Sequence, residues 1–124
     1  MILGIGTDII KVDRLKRSIE KNERFAEKVF TPAEIIYCEA RASKYQSYAA
    51  RFAAKEAVMK AIGTGWDGTI NWTDIEVVLD PLGKPSILCH GATQAFMDKR
   101  RVTQIHLSLS HEQDYAVAYV VLEA

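Results

Sequence analysis

The stretch RFAAKEAVMKAIGTG, from Arg51 to Gly65, constrains this chain more than any other. It reads as the last turns of a helix running from about Gln46 to Ile62, with Gly63 in the left-handed position just past the helix end. Glu56 and Lys60 are i,i+4 neighbours on that helix, as are Arg51 and Lys55, so two charged pairs project from adjacent strips. Around them stand Phe52, Ala53, Ala54, Ala57, Val58, Met59, Ala61 and Ile62, which leave little fully solvated surface. An ordinary surface helix carries such pairs too, but on a solvated face. A carboxylate and a lysine rooted in a largely apolar helix point instead to a site.

The segments on either side predict an α+β domain. Ile2 to Ile10 is apolar with two glycines and reads as a strand buried on both faces, and Lys11 to about Asn22 reads as a helix. Thr31-Pro32-Ala33-Glu34 is a helix start, with Thr31 as N-cap, Pro32 at N1 and Glu34 closing a capping box. That helix should run to around Ala42. Further on, Ile75, Val77 and Leu79 alternate with Asp74, Glu76 and Val78, the period of a half-buried strand. Asp80 to Pro85 is a turn, and Ser86 to Cys89 pairs back across it. Gly91 to Arg100 reads as a helix, and Gln104 to Ser110 and Tyr115 to Leu122 as a hairpin. Strands and helices do not alternate regularly, which favours α+β over α/β.

Composition narrows the function classes. At 124 residues the chain is one domain, with sixteen basic and sixteen acidic residues. No global field draws it to nucleic acid or to a membrane, and neither is expected as a partner. Cys38 and Cys89 match no metal or redox spacing. No apolar run approaches the ~20 residues of a membrane span, and the N-terminus lacks the pattern of a signal peptide. A cytoplasmic location is the expectation.

Gly4-Ile5-Gly6-Thr7-Asp8 invites comparison with a dinucleotide-binding loop, but Ile9 stands at the third glycine position and too little chain precedes it. The informative residue is Asp8, an acid near the end of an apolar strand. A strand-end Asp is commonly a turn or cap residue. Asp8 and Glu56, however, are the carboxylates set in the most apolar surroundings. Hard cations such as Mg²⁺ take one or two carboxylates, with water and substrate phosphate completing the shell. Two acids with nearby lysines and arginines therefore suit a metal–diphosphate site better than a zinc site. His106, Ser108 and Ser110 share one strand face and His111 follows, an arrangement suited to anions or simply to solvent. No nucleophile elbow accompanies them. Arg14, Arg17, Lys21, Arg24 and Lys28 step by three and four, forming one basic face if the helix persists through Lys28. That face is either laced by intrahelical ion pairs or free to dock an acidic partner.

Taken together these residues resemble the holo-[acyl-carrier-protein] synthases, the short bacterial class of 4′-phosphopantetheinyl transferases. The resemblance covers Ile2 to Val121. It rests on Gly6, Asp8 and Arg14, on Arg51 to Gly65, on the turn with Asp80, Gly83, Lys84 and Pro85, and on the strand His106 to His111. It implies transfer of phosphopantetheine from coenzyme A to a serine of an apo acyl carrier protein, in support of fatty acid biosynthesis. Asp8, Glu56 and Lys60 would be catalytic, with Asp8 and Glu56 holding Mg²⁺ on the coenzyme A diphosphate and Lys60 contacting that diphosphate. Arg51, Lys55, Gly83, Lys84, Pro85 and His111 would bind the rest of coenzyme A: Arg51 and His111 near the 3′-phosphate, the Gly83-Lys84-Pro85 turn near the adenine. Arg14, Arg17, Lys21 and Arg24 would receive the carrier protein.

One position departs from the larger single-chain relatives, which carry a second acid two residues after the first. Here it is Ile10, so water would complete the metal shell. The chain is half the size of those duplicated relatives, which implies a homotrimer with sites between subunits, and Asp8 and Glu56 supplied by one subunit or by two. Val117, Tyr119 and Val121 serve either as an apolar contact or as core. Two other functions are a non-catalytic module binding coenzyme A or a nucleotide, and an adaptor using the basic face alone. The paired acids speak against the first, and the Arg51–Lys60 constellation against the second.

Overall fold

The structure is a computed structural model that describes residues 1–63 and 70–124. Thr64 and Gly65, the end of the central motif, lie outside the described residues. Along the chain run β1 (Ile2–Lys11), α1 (Val12–Lys21), α2 (Phe25–Val29), α3 (Pro32–Glu39), α4 (Lys44–Ile62), β2 (Ile75–Leu79), β3 (Pro85–Cys89), α5 (Gly91–Lys99), β4 (Gln104–His111) and β5 (Tyr115–Glu123). A short 3₁₀ turn, Trp72–Asp74, precedes β2. The strands form an antiparallel sheet in the order β1-β5-β4 and a separate hairpin of β2 and β3. The class is α+β, as expected.

α4 is the centre of the molecule. Ala53, Ala54, Ala57 and Val58 are fully buried along it, and Gly63 closes it with φ 84°. It lies on the inner face of the larger sheet, where Ala116, Ala118, Val120 and Leu122 of β5 meet it. The approach is close because β1 has no side chains in the way. A Cβ on Gly6 would sit 2.1 Å from the Ala57 carbonyl oxygen, and one on Gly4 would sit 2.1 Å from that of Ala61. The two glycines that suggest a nucleotide loop are thus a seat for a helix. On the same strand face, the next inward positions are Asp8 and the buried Ile10.

Three expectations are corrected. β1 is not buried on both sides: its outer face carries Ile5 at 70% exposure and Ile9 at 64%, next to the outward-facing Tyr119 at 59%. A continuous apolar run suggests two-sided burial, but here α4 covers only the inner face. Nor is the basic helix continuous. Asn22 turns to an extended conformation, its side-chain oxygen accepts from the Arg24 backbone N–H, and α2 begins separately at Phe25. α3 starts at its capping box, with Thr31 and Glu34 bonded reciprocally, and ends at Glu39 rather than at Ala42.

Candidate active site

The two strips of α4 reach different environments. On one, Lys60 Nζ lies 3.0 Å from Asp8 Oδ1. Glu56, a turn earlier and half-buried, feels both Asp8 and Lys60. Burial and, after it, the negative charge of Asp8 raise the Glu56 carboxyl above its ordinary pKa, against the pull of Lys60 and Arg14. The close seat of α4 on Gly4 and Gly6 sets this meeting, because it brings the helix down onto the strand that carries Asp8. Asp8 and Glu56 of one and the same chain are thus brought together.

Glu56 has no direct hydrogen-bond or ion-pair partner among the described residues. A half-buried carboxylate without a partner, beside a second carboxylate, is a donor set that a hard divalent cation fits. Among the described residues no group of three acids, histidines or cysteines is gathered. Water and substrate oxygens would have to supply the remaining positions. Cys38 and Cys89 contribute nothing nucleophilic, since burial pushes their thiols up to about 12 and about 11.

On the other strip, Lys55 departs from expectation. Its ammonium is 0% exposed and bonds to Glu34 Oε1 at 2.8 Å, to the Trp72 carbonyl at 3.0 Å and to the Ile75 carbonyl. All three N–H donors are used inside the protein, so Lys55 is corrected from a substrate contact to an internal tie between α3, α4 and β2. Glu34 also overturns the view that Asp8 and Glu56 are the carboxylates in the most apolar surroundings. Its Oε1 takes the Thr31 N–H and its Oε2 the Val77 N–H, 2.9 Å in each case. The capping-box pattern suggested only the first of these bonds.

Arg51, one turn before Lys55, opens onto a cleft of about 210 Å³ that also gathers Gly83, Pro85 and His111. Residues from three segments far apart in sequence, all assigned to one ligand, thus line one space. Lys84 sits on the same turn but does not line the cleft. Asp80 builds that turn: its carboxylate accepts the N–H groups of Leu82 and Lys84, and Gly83 takes φ 86°. Of the strand cluster only His111 reaches the cleft; His106 turns to Glu123 at 2.9 Å. Two further lining residues, Tyr37 and Arg41, were not singled out by sequence, because no spacing foretells how α3 crosses α4.

On α1, Val12 and Leu15 face the core and the charged residues face out. Arg17 is paired with Asp13 at 3.3 Å, Arg14 lies within electrostatic reach of Glu56, and Lys21 ends the helix. Arg24 opens α2 beyond the break. Ile5, Thr7, Tyr119 and Val121 of the outer sheet face and Lys60 of α4 line, with Gly6 and Val120, a mostly apolar groove of about 510 Å³. Val117, Tyr119 and Val121 alternate with the buried β5 residues and so belong to this outer face, not to the core. Because Lys60 is in its wall, the groove borders the carboxylate pair.

Comparisons with known proteins show the family. Residues 4–120 match the model of the 4′-phosphopantetheinyl transferase superfamily. A holo-[acyl-carrier-protein] synthase of Ruminiclostridium cellulolyticum is 56% identical, covering 98% of this chain and 92% of its own. One of Solibacter usitatus is 48% identical, covering 99% of each. Among solved structures, the holo-[acyl-carrier-protein] synthase of Neisseria meningitidis superposes with a TM-score of 0.93 at 37% identity, covering 100% of both chains. That of Helicobacter pylori, in complex with coenzyme A, superposes at 0.84 and 29% identity, covering 96% of this chain and 99% of its own.

Proposed function

The chain belongs to the holo-[acyl-carrier-protein] synthases of the 4′-phosphopantetheinyl transferase superfamily, and from that premise we propose that it transfers the 4′-phosphopantetheine arm of coenzyme A to a serine of an apo acyl carrier protein. Adenosine 3′,5′-bisphosphate is the second product. The observation that carries this reading is the Asp8–Glu56 pair set beside Lys60. A site meant only to bind a polyanion gains nothing from two adjacent acids, which argues against a passive coenzyme A or nucleotide binder. The relatives of Helicobacter pylori and Bacillus anthracis solved with coenzyme A support the choice of donor.

In this reading Asp8 and Glu56 hold Mg²⁺. The bound ion supplies charge neutralisation and orientation of the diphosphate. The serine oxygen forms its bond to the phosphorus of the phosphopantetheine arm as the bridging P–O bond to the adenosine bisphosphate breaks. Such transfer demands positioning and charge stabilisation above all. Lys60, its ammonium 3.0 Å from Asp8, stabilises the charge appearing on the leaving phosphate. Glu56, directly or through a water, is the first candidate to accept the serine proton.

Arg51 and His111 receive the 3′-phosphate in the smaller cleft, with the Gly83-Lys84-Pro85 turn against the adenine. Arg14, Arg17, Lys21 and Arg24 dock the acidic carrier, and Arg14 links that surface to the chemistry through its proximity to Glu56. The apolar outer sheet face supports a homotrimer whose contacts run past Lys60, so that the sites lie between subunits. The enzyme would act in the cytoplasm, serving fatty acid biosynthesis.

The test is the intact mass of an apo acyl carrier protein after incubation with this protein, coenzyme A and Mg²⁺. A gain of one phosphopantetheine arm, lost with EDTA, is expected. No gain with several carriers, despite coenzyme A binding, would replace this function with passive binding.

A further inference from the structure

Arg51 is a buried cation without a counter-ion. It is 5% exposed, and among the described residues no carboxylate pairs with it. Its Nη1 reaches the Ser47 carbonyl at 3.4 Å, and its Nε, buried, has no hydrogen-bond partner. Desolvating a guanidinium in this way is costly unless something stabilises the charge. The Tyr37 ring, with the Arg51 Cζ 4.1 Å from its centroid, is in position to do so. Arg41 packs on the same ring, its Cζ 5.3 Å from the centroid. Tyr37, Arg41, Arg51 and His111 line one cleft without an acidic residue, while Glu34 and Glu76 border a neighbouring space with Tyr37 and Arg51 but at no ion-pair distance from Arg51.

The physical distinction lies in which atoms the partner consumes. A carboxylate would hold Arg51 through its N–H groups and neutralise it. An aromatic face attracts the cation through the ring quadrupole while the N–H donors, which lie in the guanidinium plane, remain available. Two arginines drawn to one ring also line one cleft, where a doubly charged phosphomonoester can meet both. We propose that Tyr37 is a positioning residue for coenzyme A recognition: its ring holds Arg51 and Arg41 in place at the cleft without consuming their N–H donors, so that both grip the terminal 3′-phosphate. This rests on the reading of the cleft as the 3′-phosphate site.

The test compares calorimetric affinities for coenzyme A and 3′-dephospho-coenzyme A in the full-length wild type, Tyr37→Phe and Tyr37→Leu. Phe keeps the ring and should bind both ligands within about twofold of wild type. Leu should weaken coenzyme A by about 5- to 10-fold and leave the dephospho form unchanged. A loss in Tyr37→Leu that is equal for both ligands would make Tyr37 a packing residue and overturn the proposal. So would a Tyr37→Phe protein as weak as the Leu variant. A wild type that binds both ligands equally would overturn the assignment of the cleft, and the role of Tyr37 with it. Discrimination retained in both variants would remove Tyr37 alone.

Discussion

Two lysine–carboxylate pairs stand five residues apart on α4 and differ little in length: Lys55–Glu34 at 2.8 Å and Lys60–Asp8 at 3.0 Å. In the first, both side chains are 0% exposed, every lysine donor is taken, and the pair ties three elements together. In the second, the Lys60 side chain is 54% exposed, and a further carboxylate, Glu56, waits beside it without a direct partner among the described residues. The first pair is complete and the second is not. Incompleteness, rather than the presence of charge, distinguishes a site able to take a ligand from a structural tie.

The largest expected effect breaks the sealed pair. Lys55→Met leaves Glu34 buried and uncompensated and should cost about 3–5 kcal/mol in urea denaturation. A cost below about 1 kcal/mol would mean that the sealed pair does not tie these elements together. Gly6→Ala acts between the two pairs, because its Cβ would collide with the Ala57 carbonyl. It should destabilise by about 1–3 kcal/mol and lower turnover further, by lifting Glu56 away from Asp8. Wild-type turnover in a stably folded Gly6→Ala protein would show that the close seat does not set the site.

Glu56→Gln should lower turnover by about 10²–10⁴-fold yet leave the metal-free protein no less stable. The sign follows from the raised carboxyl. Folded protein binds the Glu56 proton more tightly than unfolded protein, so the stability this supplies is present below the ordinary pKa of 4.5 and is lost as pH climbs through the folded value. In EDTA, Glu56→Gln should therefore gain on wild type in melting temperature between acid and neutral pH. A variant that loses ground over that range would mean that ionised Glu56 has a stabilising partner. The smallest effects belong to Arg17→Ala and Arg24→Ala. These should leave stability within about 0.5 kcal/mol and raise the KM for carrier a few-fold at low salt, fading as salt screens the surface. Unchanged KM at low salt would remove them from the docking surface.

Much of this was legible in sequence because it is local. The cap at Thr31, the stop at Gly63 and the apolar setting of Glu56 and Lys60 are properties of single segments. What required the structure is long-range. Lys55 looks like Lys60 along the helix, and only the crossing of α3 brings Glu34 to it. The outer face of β1 looks like core because an apolar run does not say how many of its faces are covered. Asn22 breaks a basic face whose spacing alone predicts continuity. Tyr37 and Arg41 join Arg51 through the same crossing of α3 and α4, which no periodicity encodes.

The central claim is that Asp8 and Glu56 together hold a divalent cation for the diphosphate. Mn²⁺, a paramagnetic substitute for Mg²⁺, can be titrated into the protein and followed by electron paramagnetic resonance, with and without coenzyme A. One bound ion per chain is expected, held more tightly with coenzyme A and markedly weakened in Asp8→Asn and Glu56→Gln. Wild-type Mn²⁺ affinity in both variants would contradict it.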